Sequence, residues 1–304
     1  MKFLTVHFRS SHSVGLLLAV IGAVLFSAKA IVVKLSYHYE VDAITLLALR
    51  MLLSLPFFLA AALWASRRQQ TTRLTLADWG RVGFLGFSGY YLASFLDFAG
   101  LQYITASLER LILFLYPTVV LVISVGLLKK RLRQDHLLAL GLSYLGVVVV
   151  LVNDWQGAGS HVLLGAALVF GSAISYALYL VASGEMVGKL GTVRLTAYAT
   201  CIAALLCLLQ FVLTHDWHLL KQLPLPVWKL SLFNAVFCTV IPVFATMAAI
   251  ARIGAPVVSV TGLVGPVATI FLAALFLHEP ITLLQLAGTG LVMAGIFIIS
   301  RRKT

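Results

Sequence analysis

The stretch ASLERLILFLYPTVVLVISVGLL, residues 106–128, decides the fold class of this chain. After Glu109 and Arg110 it stays apolar to Leu128, which is long enough for a helix to cross the ~30 Å hydrocarbon core of a membrane. Similar runs recur along the chain, and 61% of its residues are hydrophobic while 11% are charged. A soluble domain would carry about a quarter charged residues. The sequence therefore predicts an all-α polytopic membrane protein, because continuous apolar runs exclude the alternating pattern of a transmembrane β-barrel.

Ten apolar runs are predicted to be transmembrane helices. They cover residues 13–35, 42–65, 79–101, 105–128, 135–153, 161–183, 192–214, 228–252, 255–277 and 281–300. Sixteen Lys and Arg residues lie in the termini, in loops or at span ends on the side that holds both termini, and three lie on the other side. Because Lys and Arg are enriched on the cytoplasmic side of membrane proteins, both termini are predicted to be cytoplasmic. The same bias explains the net charge of +12, so no nucleic-acid partner is expected.

The chain also repeats itself weakly. A shift of 149 residues places Pro117 on Pro266, with three further identities nearby. The halves, residues 1–153 and 161–304, hold five spans each, and an odd number makes the second half enter the membrane the opposite way round. The predicted fold is thus ten transmembrane helices in two inverted five-helix repeats, with matched bends at the two prolines that are either packing kinks or hinges. Cleavage after the first span as a signal peptide would break this pattern, so that span is expected to be retained.

Several stretches carry a family resemblance. They are LDFAGLQYITASLERLILFLYP (96–117), RIGAPVVSVTGLVGP (252–266), LFLHEPIT (275–282) and the Arg-containing run at 46–63. They resemble segments of the EamA-type transporters of the drug/metabolite transporter superfamily. The resemblance implies a ten-helix, two-repeat fold that moves small organic solutes by alternating access, often outward. Lys129-Lys130-Arg131 stands where many members carry a glutamate in the first half, so a role for that glutamate in both halves is not implied.

Five charged residues lie away from the span ends, in the outer half of the predicted spans of the first repeat: Lys29, Arg50, Asp97, Glu109 and Arg110. A lone charge near the bilayer centre costs about 2.5–3.5 kcal/mol, so pairing or water must offset it. Glu109 and Arg110 are adjacent and about 100° apart on a helix, so each needs a partner on another helix. We expect Asp97 to pair with Arg110, and Glu109 with Lys29 or Arg50. The five charges form either a structural set of ion pairs or a proton or substrate site, and the two roles are compatible. A third alternative is a span boundary that leaves Glu109 and Arg110 at the lipid headgroups.

Other polar residues in the spans are candidates for lining a substrate cavity. They are Tyr90 and Ser94, which share a helix face with Asp97, and Tyr116, Tyr176, Tyr179, Asn234 and Thr261. Aromatic rings with a few polar groups suit an amphipathic organic solute. For each residue taken alone, helix packing is the favoured interpretation.

The sequence predicts a secondary transporter of the cell inner membrane that exports small metabolites, amino-acid-like compounds or drugs. A membrane structural or regulatory protein with a purely structural charge cluster is the alternative, and an intramembrane enzyme is a third. No H-E-x-x-H zinc motif or phosphate-binding loop is present, so no enzyme activity, metal or cofactor is expected. The expected partners are membrane lipid and a small-molecule substrate, while protons, a counter-substrate and a homodimer are left open.

Overall fold

A computed structural model describes residues 2–68, 74–128, 134–158 and 161–301. Every regular element in these ranges is helical. The α-helices are α1 (Lys2–Tyr37), α2 (Ala43–Arg68), α3 (Leu76–Gly86), α4 (Ala93–Leu101), α5 (Ala106–Leu113), α6 (Tyr116–Leu128), α7 (Gln134–Ala158), α8 (Val162–Leu190), α9 (Thr192–Thr214), α10 (Leu219–Gln222), α11 (Leu225–Ala235), α12 (Ile241–Ile253), α13 (Ala255–Thr261), α14 (Val264–Leu277) and α15 (Leu283–Arg301). Two π-helical segments join them, Phe87–Leu92 between α3 and α4 and Val236–Val240 between α11 and α12.

Eight helical segments among the described residues are long and apolar enough to cross a membrane. They are His12–Tyr37, Ala43–Arg67, Ala106–Gly126, Gln134–Trp155, Val162–Leu190, Thr192–Thr214, Leu225–Ile253 and Val257–Leu277. Residues 76–101 are also helical, through α3, the first π-helical segment and α4, and Leu283–Ile299 is a shorter apolar helix. The protein is a multi-pass helical membrane protein, as the sequence predicts, while the count of ten spans stays a prediction.

Two of the predicted spans are interrupted. The first helix break, residues 114–115, separates α5 from α6, and the second helix break, residues 262–263, separates α13 from α14. Pro117 and Pro266 lie in the first turn of the helix that follows each break. A proline there leaves no intrahelical hydrogen bond unmade, because the first N–H groups of a helix have no partner within it. The bends that the sequence predicts at these prolines are therefore breaks that precede them.

The irregular elements recur at a nearly constant spacing along the chain. The π-helical segments begin at Phe87 and Val236, 149 residues apart, and the helix breaks begin at residues 114 and 262, 148 residues apart. This spacing matches the shift that aligns the two halves of the sequence. The two halves therefore share the positions of their irregular backbone, and the inverted orientation of the second half stays a prediction.

Most close helix pairs join one half of the chain to the other. Helix α1 packs against α12 and α14, α2 against α9, α4 against α8, and α7 against α15. Glycine permits the contact between α4 and α8, because a Cβ atom on Gly100 would lie 2.8 Å from the carbonyl oxygen of Gly165. Small residues of this kind let helix backbones approach in lipid, where no hydrophobic force drives them together. The interior of the protein is thus built from side chains of both halves.

Ion pairs tie α3 to α8 at one end of the molecule. Thr75 and Asp78 form a capping box at the start of α3, and Lys189 Nζ lies 2.9 Å from Asp78 Oδ1. Hydrogen bonds from Lys189 and then from Thr75 hold the pKa of Asp78 down at about 2. One turn further on, Arg81 Nη1 lies 2.5 Å from Glu185 Oε1. These contacts join a helix of the first half to a helix of the second.

Candidate functional site

The five charged residues predicted to lie within the membrane come together between α1, α2, α4 and α5. We call them the charge cluster: Lys29, Arg50, Asp97, Glu109 and Arg110, each at most 8% exposed. Lys29 is at its centre, since Lys29 Nζ donates a hydrogen bond to Asp97 Oδ2 and lies 3.2 Å from Glu109 Oε1. The two Glu109 oxygens have no hydrogen-bond partner among the described residues. One ammonium group thus faces two buried carboxylates.

The structure confirms one of the expected ion pairs and corrects the other. Glu109 pairs with Lys29, as expected, but Asp97 also pairs with Lys29 and not with Arg110. The long, flexible lysine stem lets a single ammonium from α1 reach acids on both α4 and α5. Arg110 instead points towards α14, where Gly265 lies against it.

Arg50 is held by polar and aromatic contacts from α4. Its Nη2 donates to Ser94 Oγ at 2.8 Å, and its guanidinium carbon lies 4.7 Å from the centre of the Phe98 ring. A cation over an aromatic face is stabilised by about 0.5–2 kcal/mol. Ser94 and Phe98 therefore hold this buried cation, although Arg50 Nε has no hydrogen-bond partner within the described part of the chain.

Arg110 is the cation of the cluster that has no hydrogen-bond acceptor. Its guanidinium carbon lies 5.1 Å from the centre of the Phe114 ring, and none of its nitrogens donates a hydrogen bond or forms an ion pair within the described residues. A Cβ atom on Gly265 would lie 2.6 Å from Arg110 Nη2 and 3.3 Å from Ser27 Oγ. Arg110 therefore occupies a junction of α1, α5 and α14 that only a glycine at 265 leaves open. Both helix breaks adjoin this junction, because α5 ends at the first and α14 begins after the second.

A row of tyrosines lies beside the charge cluster. The tyrosine row comprises Tyr116, Tyr176, Tyr179 and Tyr90, whose successive ring centres are 5.3, 5.7 and 5.2 Å apart. The hydroxyl oxygens of Tyr90 and Tyr179 are 3.2 Å apart and share a hydrogen bond. Tyr116 lies within electrostatic range of Arg110, so the row begins at that guanidinium. The structure thus brings together four of the residues that the sequence proposed for a cavity.

Two candidates are not brought into this arrangement by any contact among the described residues. Asn234 is buried in α11, and its side-chain oxygen lacks a hydrogen-bond partner there. Thr261, at the end of α13, donates to the carbonyl oxygen of Val257 one turn earlier.

Cavities open at opposite ends of the helical path from α3 to α4. The Lys34 cavity, about 430 Å³, is lined by Lys34, Tyr37, His38, Glu40, Val41, Asp42, Leu101 and Gln102. The Arg81 cavity, about 420 Å³, is lined by Ala77, Gly80, Arg81, Phe84, Leu85, Ala182, Glu185 and Met186. The charge cluster lies between these two ends, because along the helical path Asp97 follows the residues of the Arg81 cavity and precedes Leu101 and Gln102 of the Lys34 cavity.

Comparison with known proteins gives the family. Residues 13–152 and 163–301 each match the model of the EamA-like transporter family. The chain belongs to that family. The family description and the eight apolar segments make the protein a membrane transporter of the EamA type, within the drug/metabolite transporter superfamily.

Relatives of this EamA-like transporter are similar over most of their length. "Uncharacterized transporter YcbK" of Bacillus subtilis (strain 168) is 30% identical over 94% of this chain and 91% of its own. An "Uncharacterized transporter" of Archaeoglobus fulgidus is 26% identical over 82% of this chain and 88% of its own. A solved structure titled "Crystal structure of protein" has a TM-score of 0.66 at 19% identity and covers 94% of this chain and 96% of its own, which supports the fold alone.

The residues that fix α5 in this EamA-like transporter escaped the sequence analysis. Glu279, from the segment between α14 and α15, accepts hydrogen bonds from the Ala106 amide (2.8 Å) and the Ser107 hydroxyl (2.9 Å) at the start of α5. Thr105 caps the same helix by accepting from the Leu108 amide. The HEP motif that contains Glu279 was visible in the sequence, but its partner lies 173 residues away and no local pattern identifies it.

Proposed function

We propose that this protein is a secondary transporter that exports small organic solutes across the cytoplasmic membrane by alternating access. The solutes are metabolites, amino-acid-like compounds or drugs, and the energy comes from an ion gradient or from exchange for a second solute. Ten transmembrane helices in two inverted repeats, residues 1–153 and 161–304, with both termini in the cytoplasm, form the proposed frame.

The observation that carries the proposal is the meeting of the two helix breaks at buried charges. Arg110, on the helix before the first break, abuts Gly265, on the helix after the second. Interrupted helices at the interface of two repeats form the substrate and ion sites of many secondary transporters. A purely structural cluster needs neither the interrupted backbone nor an arginine without an acceptor.

Alternating access is supported by the two cavities at opposite ends of α3–α4. We propose that the Lys34 cavity opens to the outside and the Arg81 cavity to the cytoplasm, on either side of the charge cluster. The ion pairs between α3 and α8 would then close the cytoplasmic side, since they join the two halves at the Arg81 cavity. Rocking of one half against the other breaks contacts of this kind at one end while it forms contacts at the other.

A role in ion coupling is proposed for the shared ammonium of Lys29. With Asp97 and Glu109 both ionised, this trio carries one net negative charge, and uptake of one proton neutralises it. A proton on Glu109 leaves Lys29 paired with Asp97. The trio can therefore gain and lose a proton while every remaining charge keeps a partner.

The proposal is tested by labelling single cysteines in a variant that lacks Cys201, Cys207 and Cys238. Gln102→Cys lines the Lys34 cavity and Ala182→Cys lines the Arg81 cavity, and both side chains are exposed. We expect an impermeant thiol reagent to label Gln102→Cys in intact cells and Ala182→Cys only after permeabilisation. A transported solute should change the two labelling rates in opposite directions, and labelling of Ala182→Cys but not Gln102→Cys would reverse the orientation.

Flux measurements complete the test. Purified protein in liposomes should move at least one solute from a screened metabolite mixture, and empty liposomes serve as the control. A folded protein that moves none would indicate a structural or regulatory membrane protein. Formation of a product without flux would indicate an enzyme.

A further inference from the structure

We propose that Arg110 binds the carboxylate of the transported solute and that this solute is a singly charged organic anion. The inference rests on the proposed transport function and adds a substrate class to it. It follows from an inventory of hydrogen-bond donors, a count of charges and the surfaces around the Arg110 guanidinium.

The donor inventory leaves Arg110 unmatched. A guanidinium has five N–H donors in a planar fork and is always charged in proteins. Within the described residues, Lys29 has two carboxylates and Arg50 has a hydroxyl and an aromatic face, but Arg110 has no acceptor although it is only 8% exposed. Buried polar groups are nearly always hydrogen-bonded, so an arginine in this state is one whose acceptor arrives from outside the chain.

The neighbouring acid cannot serve as that acceptor. Glu109 follows a different face of α5 from Arg110 and is turned towards Lys29. Asp97 is already bound by Lys29 as well. Both carboxylates of the cluster are therefore paired with Lys29, and neither forms a hydrogen bond or ion pair with the guanidinium among the described residues.

While Glu109 is ionised, the charge count favours a monoanion. Three cations and two carboxylates give the charge cluster one net positive charge when all five groups are ionised. An uncompensated charge inside a membrane is unfavourable, so a ligand with one negative charge balances the cluster. A dianion would leave one negative charge and a cation would leave two positive charges, and both are disfavoured.

The surfaces around the guanidinium favour an organic carboxylate. Phe114 covers one side, and Tyr116 continues into the tyrosine row, so an aromatic or aliphatic body would find apolar contacts beside the charge. The first turn of α14 adjoins Arg110 at Gly265, so backbone borders the guanidinium on that side. Arginine matches a carboxylate with two parallel hydrogen bonds, a geometry that chloride cannot use.

The test measures melting temperature in detergent for three matched pairs of compounds at millimolar concentration. Each pair contains a monocarboxylate and its neutral amide: benzoate and benzamide, phenylacetate and phenylacetamide, hexanoate and hexanamide. Sodium chloride at the same ionic strength and the dianion phthalate complete the set. We expect at least one monocarboxylate to raise the melting temperature, while its amide, chloride and phthalate do not, because only a ligand of the folded state stabilises it.

Variants connect that shift to Arg110. Arg110→Gln should weaken the affinity for the stabilising carboxylate by about 10- to 100-fold, the range for the loss of one charge-assisted hydrogen-bonded pair. Arg110→Lys, which keeps the charge and loses the fork, should weaken it less. Arg252→Gln removes an exposed arginine and is the control that should bind as the wild type does. The melting temperature without ligand reports whether each variant is folded.

The outcomes separate the two proposals. The anion inference is overturned if no carboxylate shifts the melting temperature, if amides or chloride act as well as carboxylates, or if a folded Arg110→Gln binds unchanged. Flux of a neutral or cationic solute that is insensitive to Arg110→Gln would also overturn it and leave the transport function intact. Absence of flux for any solute would instead contradict the proposed function.

Discussion

Glu279 should act as a clamp on α5 from a distant part of the chain, and Glu279→Ala tests this. The change removes the acceptor of three hydrogen bonds, 2.8 Å to the Ala106 amide, 2.9 Å to the Ser107 hydroxyl and 3.4 Å to the Ser107 amide. Loss of a helix N-terminal cap costs about 0.5–2 kcal/mol, and we expect about 1–2 kcal/mol because three donors lose their partner. In a chain of this length that corresponds to a melting temperature lower by about 2–4 °C. Transport should fall as well, because α5 carries Glu109 and Arg110.

A double-mutant cycle measures the interaction free energy between Glu279 and Ser107. Ser107→Ala removes the hydroxyl donor and keeps the two amide donors. Its coupling free energy with Glu279→Ala should be about 0.5–1.5 kcal/mol, the usual contribution of one hydrogen bond. Glu185→Ala removes an acid that is 62% exposed and paired on the surface, so it should cost less than about 1 kcal/mol. Melting temperatures in detergent and flux in liposomes give both quantities. Zero coupling, or a loss at Glu279 no larger than at Glu185, would show that α5 is held by other contacts.

Three further changes have expected outcomes. Glu109→Gln should stay folded, because Lys29 keeps Asp97, and should lose the pH dependence of flux in liposomes; unchanged pH dependence would make the acid structural. Asp78→Asn should make the melting temperature depend less on pH in the acid range. The folded-state pKa of Asp78, about 2, lies below its ordinary value, so the ionised carboxylate stabilises the fold fully at neutral pH and loses this effect as the pH falls towards 2. The same pH dependence of melting in wild type and variant from pH 5 to 2 would contradict this. Gly265→Ala should displace the Arg110 guanidinium and lower flux about tenfold or more, with a loss in the free energy of unfolding of no more than ~3 kcal/mol. Gly290→Ala is the control: a Cβ atom there faces open space, so this variant should transport normally.

The sequence determined the helical membrane fold because apolar runs of this length have few other solutions. It also located the helix breaks approximately, since Pro117 and Pro266 require an unpaired position in a helix. It could not set the rotation of each helix about its axis, and for that reason the partner of Asp97 was predicted wrongly. Depth along a span says which charges lie at one level, while rotation and side-chain reach decide which of them touch.

The face proposed for Tyr90, Ser94 and Asp97 shows the same limit on a smaller scale. Ser94 and Asp97 both contact cations of the charge cluster, but Tyr90 contacts Tyr179 in the tyrosine row. An α-helical period places all three together, and the π-helical segment Phe87–Leu92 interrupts that period at Tyr90. No composition signal marks this segment, so its effect could only be found in the structure.

That segment makes the ion site depend on the length of the chain as well as on its side chains. A π-helical turn holds one residue more than an α-helical turn, and each residue of an α-helix advances about 100° around the axis. Deletion of one residue with conversion of the turn to regular α-helix would keep Asp97 facing Lys29, whereas conversion at unchanged chain length would swing Asp97 by about 100° away. The acid, the base and their helices would all remain in that second case, yet the pair would be separated. A related sequence of unchanged length that forms regular α-helix here would therefore lose the ion pair without any substitution in the charge cluster.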